Sequence, residues 1–111
     1  VLIACRKSGQ FAGLWEFPGG KIEKDETPQQ CLVREIEEEL CIHISVGEFF
    51  EKSIYTSPNT IIVLSAYLCT CNDISDLVLR DHSKVEWVDF QNLDSCSFAP
   101  ADIPIVEKLK A

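Results

Sequence analysis

The stretch that decides the fold runs from Gly20 to Ile42 and reads GKIEKDETPQQCLVREIEEELCI. In its second half, Leu32, Ile36 and Leu40 stand at positions i, i+4 and i+8. At 3.6 residues per turn these three side chains share one face, which is typical of an amphipathic helix packed on a core. The stretch therefore predicts a helix with one buried stripe.

The residues before the helix predict where it begins and what lies beside it. Thr27 is a good N-cap, and Pro28 suits the first helical position, where no backbone N–H is needed. Upstream, Gly19 and Gly20 follow a proline in a tight turn. Because glycines carry no side chain, their backbone carbonyls can approach the helix closely and could supply oxygen ligands to a cation.

Four carboxylates, Glu35, Glu37, Glu38 and Glu39, lie within little more than one turn of this helix. The spacings from Glu35 to Glu38 and from Glu35 to Glu39 bring three of them to a common face. Like charges this dense repel one another unless a cation sits among them, which indicates a divalent metal site. A solvated helix face is the alternative. An EF-hand is excluded because its D-x-[DN]-x-[DN]-G loop is absent.

Eight positions of the stretch have a characteristic spacing: Gly20, Glu26, Arg34, Glu35, Ile36, Glu38, Glu39 and Ile42. They resemble the Nudix box, G-x5-E-x7-R-E-U-x-E-E-x-G-U, where U is a bulky aliphatic residue. Only Cys41 departs from it, standing where the family has glycine. The preceding GLWEFPGGK resembles the MutT-like branch, and the later APADIP resembles the CTP pyrophosphohydrolase subgroup.

The resemblance implies an α/β fold, a Nudix-type α/β/α sandwich with a mixed sheet. It implies a single Nudix hydrolase domain over residues 1–111 that lacks the family's first N-terminal strand. The implied activity is Mg²⁺-dependent, with Mn²⁺ as an alternative: a nucleoside triphosphate is hydrolysed to its monophosphate and pyrophosphate. The resemblance of APADIP further implies a preference for cytidine-type substrates, (d)CTP or 5-substituted derivatives. The alternatives are a MutT-like 8-oxo-dGTP sanitising hydrolase and a non-catalytic Nudix-like nucleotide-binding domain.

Carried over by resemblance, the metal ligands are Glu35, Glu38 and Glu39 with the Gly19 or Gly20 carbonyl. The same three glutamates are catalytic, with Arg34 and Asp81. Arg34 is expected to form an ion pair with Glu26 that fixes the loop against the helix, or merely a surface salt bridge. Asp81 stands six residues before Trp87, at the place of a loop acid in MutT-like proteins, and a solvated side chain is the alternative.

The expected substrate-binding residues are Arg6, Lys21, His82 and Asp102. Arg6 resembles a phosphate-binding arginine, with an ordinary surface arginine as the alternative. His82 could stack on a base, touch a phosphate or be structural. An ionised Asp102 only accepts hydrogen bonds, so it suits the amino group of cytosine and not the O6 of guanine unless protonated. A helix N-cap is the alternative for Asp102.

The composition sets bounds on the kind of protein. A chain of 111 residues with 46% hydrophobic residues can form one compact domain. Its net charge of −8 argues against a nucleic-acid-binding surface. The six cysteines show no zinc spacing and are expected to be free thiols in a reducing cytoplasm. No apolar run is long enough to span a membrane. The expected state is a cytoplasmic monomer or homodimer.

Further elements are predicted from alternation and turn signals. Strands are expected at 1–5, 42–46, 48–55, 60–71 and 85–88, with a bend at Gly47 and a hairpin turn at 57–59. A helical turn is expected at 91–95, and a last helix from about Asp102 with Ile105, Val106 and Leu109 on its buried face.

Overall fold

The computed structural model describes residues 1–71 and 74–111. Its elements, in chain order, are β1 (Leu2–Arg6), β2 (Trp15–Glu16), α1 (Pro28–Leu40), β3 (Ser45–Ser57), β4 (Thr60–Thr70), β5 (His82–Trp87) and α2 (Ile103–Lys110). Two 3₁₀ segments, Phe90–Ser95 and Pro100–Asp102, lie between β5 and α2. This is the α/β content that the sequence predicts.

The strands form two antiparallel groups. β1 lies between β2 and β5, and β3 pairs with β4 in a long hairpin. A parallel component comes from the isolated bridge between Trp15 and Phe98. This bridge and the β1 pairing fix the short strand β2 from both sides, immediately before the glycine-rich turn.

Helix α1 begins and ends as its sequence predicts. The Thr27 hydroxyl accepts the Gln30 N–H at 3.1 Å, while the Gln30 side chain accepts the Thr27 N–H at 2.9 Å, so a capping box closes the first turn. At the other end Cys41 has φ of 58°, the left-handed conformation that usually belongs to glycine.

Two apolar clusters hold the elements together. One contains Ile3, Cys5, Trp15, Leu93, Phe98 and Val106. The other joins α1 to the segment after it, with Ile36, Leu40 and Ile42 buried together. The predicted inward face of α2 is confirmed at Ile105 and Val106, which are 3% and 5% exposed. The two clusters place α1 and β2 on a common scaffold.

The strand predicted at 42–46 is wrong over its first half. Residues 41–44 are not in a strand, because the left-handed Cys41 turns the chain and Ile42 packs back against Leu40. β3 instead runs through Gly47, and the register shifts beside it. A Cβ on Gly47 would lie 2.9 Å from the Leu68 carbonyl oxygen, so the close approach of β4 requires glycine here.

Two other expectations concern the cysteines and the membrane. All six cysteines are free thiols, as predicted. Within residues 1–71 and 74–111, neither α-helix has the length and apolar character needed to cross a bilayer.

Candidate active site

Arg34 is the centre of an ion-pair network on the outer side of α1. Its guanidinium contacts both carboxylate oxygens of Glu26, at 2.7 and 2.9 Å. Its Nη1 also donates to Glu35 at 2.7 Å and to Glu38 at 3.2 Å. The predicted pair of Arg34 with Glu26 is thus present, and it is bidentate. The Arg34 hydrogen bonds hold the pKa of Glu26 at about 2, so Glu26 stays ionised.

The glycine-rich turn lies directly on the acidic side of α1. A Cβ added to Gly20 would lie 2.1 Å from the carboxyl carbon of Glu35, well inside van der Waals contact. Arg34 also donates to the backbone carbonyl of Lys21 at 3.1 Å. The absence of a side chain at Gly20 therefore lets the turn and the Glu35 carboxylate occupy adjoining space.

Glu39 lies on the opposite, buried side of α1, beside His82 and Glu16. The Nε2 of His82 is 2.8 Å from Glu16 Oε2, and its Nδ1 faces Glu39 Oε2 at 3.9 Å. The other oxygen of Glu16 accepts from Arg6 Nη1 at 2.7 Å. The side chain of His82 is only 3% exposed. This burial favours the structural alternative for His82 over stacking on a base.

Burial and neighbouring charges shift the pKa values of this group. Burial raises the pKa of Glu39 to about 7; His82 opposes the shift, and the carboxylates of Glu35, Glu16 and Asp81 add to it. The hydrogen bond to Glu16 raises the pKa of His82 despite its burial. Burial also raises the pKa of Glu16, but the hydrogen bonds to His82 and Arg6 outweigh it and hold that pKa below its usual value.

The segment before β5 docks on the C-terminal end of α1. The N–H groups of Val78 and Arg80 donate to the carbonyls of Leu40 and Glu39, at 3.0 and 3.3 Å. These bonds satisfy carbonyls that a helix end leaves free. They also place the next residue, Asp81, beside the acidic helix, where its side chain is exposed.

Asp102 is a buried carboxyl group, with the residue 5% exposed. Its Oδ1 accepts the Phe17 N–H at 3.1 Å, and its side chain makes no capping hydrogen bond to α2. The Asp102 side chain therefore does not cap α2, contrary to the alternative considered from the sequence. Burial raises its pKa to about 7, against the opposing effect of the Phe17 N–H.

A broad cleft between the β1 sheet and the hairpin brings most of the predicted residues together. Its lining includes Arg6, Gly19, Gly20, Lys21, Glu39, Asp81, His82 and Asp102. Arg34 and Glu38 line a shallower groove on the other side of α1. The predicted site residues thus lie on two sides of α1, some on the helix itself and others on the strands and loops packed beside it.

The predicted convergence of Glu35, Glu38 and Glu39 on one point is not found. Within the described ranges no three acidic, histidine or cysteine side chains are grouped closely enough to bind an ion. Arg34 Nη1 bridges the first two carboxylates, and Glu39 faces His82 instead. The donors still suit a divalent ion: Glu39 Oε2 is buried and has no hydrogen-bond partner among the described residues.

Glu16 is the residue of the site that the sequence reasoning missed. Trp15–Glu16 was not predicted as a strand, because two residues are too short to show alternation. One signal was available: Glu16 is a single acid between the aromatic residues Trp15 and Phe17. An acid within an apolar segment needs a partner when it is buried.

Comparison with known proteins agrees with this geometry. The family model described as "NUDIX domain" matches residues 1–109 of the sequence. The chain is 39% identical to a CTP pyrophosphohydrolase of Escherichia coli, covering 100% of this chain and 82% of that protein. It is 36% identical to an 8-oxo-dGTP diphosphatase of Haemophilus influenzae, covering 98% and 80% respectively. The solution structure of the E. coli ORF135 protein is 38% identical, with a TM-score of 0.78 over 96% of this chain and 76% of that one.

The fold and the acidic helix therefore define a hydrolase of the Nudix class, and the chain belongs to the NUDIX domain family. It is a Nudix pyrophosphohydrolase, an enzyme that acts on phosphoanhydride bonds. The alternative of a non-catalytic nucleotide-binding domain is therefore rejected. Enzymes of this family generally use divalent metal ions and act on nucleotides.

Proposed function

We propose that this enzyme is a Mg²⁺-dependent nucleoside triphosphate pyrophosphohydrolase that releases the nucleoside monophosphate and pyrophosphate. The observation that carries the proposal is the contact between the Gly20 turn and the Glu35 carboxylate. It brings the backbone of the turn against a carboxylate, and backbone carbonyl and carboxylate oxygens are ligands that suit Mg²⁺. Mn²⁺ takes similar ligands and is the alternative ion.

Glu35, Glu38 and Glu39 would hold the ion, with the carbonyl of Gly19 or Gly20. When bound, Mg²⁺ neutralises phosphate charge and lowers the pKa of bound water. The protein's own part is to keep the carboxylates on the helix face, which Arg34 does through its bonds to Glu26 and Glu35. Asp81 is exposed beside the cleft, where a carboxylate can accept the proton of an attacking water.

The triphosphate would lie in the cleft that contains Arg6, the predicted phosphate-binding cation, and Lys21, a predicted substrate-binding residue. Their positive charges offset the repulsion between a polyanionic substrate and a chain of net charge −8. Arg6 is 37% exposed in its side chain, so part of its guanidinium is accessible. Lys21 directly follows the Gly20 turn and is exposed.

We further propose that cytidine-type nucleotides, (d)CTP or 5-substituted derivatives, are preferred. Asp102 lies in the same cleft, and its side chain bonds Phe17 N–H instead of capping α2. One carboxylate oxygen is therefore left to accept from the amino group of a cytosine. The CTP pyrophosphohydrolase of E. coli, at 39% identity, supports this preference.

Hydrolysis of 8-oxo-dGTP is the second candidate function, favoured by the raised pKa of Asp102. With a pKa of about 7, part of the population is protonated at neutral pH and can donate to a guanine carbonyl. The relatives named 8-oxo-dGTP diphosphatases add support.

Our proposal includes a cytoplasmic location and a monomer or homodimer, without nucleic-acid or membrane partners.

The test is a panel of nucleotides assayed at saturating Mg²⁺, with products separated by chromatography. We expect the highest kcat/KM for dCTP or a 5-substituted derivative. Asp102→Asn should shift the ratio of kcat/KM for dCTP to that for 8-oxo-dGTP toward the purine, by the equivalent of ~1–3 kcal/mol. Asn keeps the shape while adding a donor, so it is a matched change. An unchanged ratio would remove the main argument for cytidine nucleotides.

A further inference from the structure

Glu16 connects two parts of the cleft that carry different predicted roles. One carboxylate oxygen bonds Arg6 at 2.7 Å, and the other bonds His82 at 2.8 Å. The Glu16 side chain is 16% exposed, and its pKa is held below the usual value, so it is an ionised acceptor. Both of its oxygens are thus committed to protein partners.

The chemistry of these bonds fixes the orientation of the imidazole. A carboxylate can only accept hydrogen bonds, so the Nε2 of His82 must carry the proton that it shares with Glu16. The ring's other nitrogen, Nδ1, then faces Glu39 Oε2 at 3.9 Å. Both of these atoms are buried, and neither has a hydrogen-bond partner in the described part of the chain. The imidazole therefore presents one atom toward Glu39 and cannot rotate without losing Glu16.

The backbone makes this arrangement rigid. Glu16 is paired with Ala4 of β1, while His82 is paired with Arg6 of the same strand. Arg6 on β1 and His82 opposite it on β5 are thus both fixed relative to the strand that pairs with Glu16. Three residues after Glu16 comes Gly19, one of the two candidate carbonyl ligands.

We propose that Glu16 is a positioning residue that acts on both halves of the reaction site. Through Arg6 it orients a guanidinium toward the substrate's phosphates. Through His82, whose Nδ1 faces Glu39 Oε2 at 3.9 Å, it fixes the charge and the space beside the Glu39 carboxylate and so limits where that ligand can lie. The inference rests on the proposed metal and triphosphate sites and assigns no contact of Glu16 with substrate or ion.

The test compares Glu16→Gln with single changes of its two partners. Two quantities are measured on each folded variant: the KM for dCTP at saturating Mg²⁺, and the Kd for Mn²⁺ without nucleotide by calorimetry. Gln keeps the shape of Glu16 but loses its charge. We expect Glu16→Gln to raise both quantities about tenfold. Arg6→Gln should raise only the KM, and His82→Asn only the Kd for Mn²⁺.

Glu86→Gln, an exposed acid on β5, is the control and should leave both quantities unchanged. The inference is overturned if Glu16→Gln matches the wild type in both, or if the Arg6 and His82 variants change both quantities alike, as general loss of structure would. Should Glu16→Gln not fold, the split between the two partner variants decides. A wild type that neither binds Mn²⁺ nor hydrolyses nucleotides would instead refute the proposed function.

Discussion

The two sides of α1 hold their carboxylates in different ways. On the outer side, which we call the arginine-bridged side, Arg34 binds Glu26, Glu35 and Glu38. On the inner side, the histidine-bridged side, His82 lies between Glu16 and Glu39. The first set comes from neighbouring stretches of chain, and the second from residues 66 positions apart. Local spacing therefore specifies one half of the site, while tertiary packing specifies the other.

The largest expected effect comes from neutralising one glutamate on either side. Glu38→Gln and Glu39→Gln each keep the side-chain shape and remove a charge, so turnover should fall at least ~100-fold. Glu38 is exposed, so its replacement should leave the melting temperature unchanged. Glu39 is partly buried, and burial raises its pKa to about 7. At pH values above 7 the wild type must keep this carboxylate ionised, so Glu39→Gln should have the higher melting temperature there.

Glu37→Gln is the matched control for these variants. Glu37 lies on the same helix and lines the groove beside Arg34 and Glu38, but its carboxylate is 3.5 Å from His43 Nδ1. It should keep wild-type turnover. Near-normal turnover of either Glu38→Gln or Glu39→Gln at saturating Mg²⁺ would refute the assignment of the metal ligands.

Asp102, the buried carboxyl group at the start of α2, should make the stability of the protein depend on pH. Its pKa rises from 3.8 in the unfolded chain to about 7 in the folded protein, so the folded state binds the proton more tightly. The contribution of Asp102 to the free energy of unfolding is fully present below pH 3.8 and is lost as the pH rises through 7. Asp102→Asn should therefore gain roughly 2 kcal/mol relative to wild type between pH 5 and pH 8.

Urea unfolding at the two pH values measures this gain. Asp76→Asn, a change at an exposed acid, serves as the control and should leave the difference from wild type equal at both pH values. A stability difference between Asp102→Asn and wild type that is the same at both pH values would mean that Asp102 ionises normally in the folded protein.

The arginine-bridged side can be broken at its centre. Arg34→Lys retains the charge but loses the fork that contacts both oxygens of Glu26 while also reaching Glu35. We expect kcat/KM to fall about tenfold, chiefly because the carboxylates are no longer fixed. Steady-state kinetics with a Mg²⁺ titration measures this. If the lysine variant had wild-type kcat/KM and metal dependence, Arg34 would be only a surface ion-pair partner.

Local features of α1 could be predicted from the sequence, whereas contacts between distant elements could not. The caps at Thr27 and Cys41 and the bounds of α1 were predictable, because each depends on residues within a few turns of one another. The pair of Arg34 with Glu26 was expected from the resemblance to the Nudix box. Glu16 was missed because its partners come from β1 and β5, and no spacing rule links them. The three box glutamates do not converge among the described residues, because Arg34 and His82 attract their flexible side chains to two sides of α1, and helix spacing does not take those partners into account.

The smallest expected effect is at the end of α1. Cys41 has φ of 58°, and the left-handed conformation costs a side chain ~1 kcal/mol that glycine avoids. Cys41→Gly should therefore be neutral or more stable by up to about 1 kcal/mol, as measured by thermal unfolding. Cys41→Ala keeps a Cβ and separates this backbone effect from loss of the thiol. A clear fall in melting temperature for the glycine variant alone would contradict the prediction.

The central claim, that the acidic helix supports metal-dependent cleavage of a nucleoside triphosphate, is tested most directly by chelation and readdition. The purified enzyme is treated with EDTA, dialysed and assayed with dCTP over a range of Mg²⁺ concentrations, and all phosphate-containing products are quantified. The account predicts no turnover without metal, full recovery with Mg²⁺, and equal amounts of monophosphate and pyrophosphate. Turnover that persists after chelation, or the release of orthophosphate with the diphosphate, would contradict it.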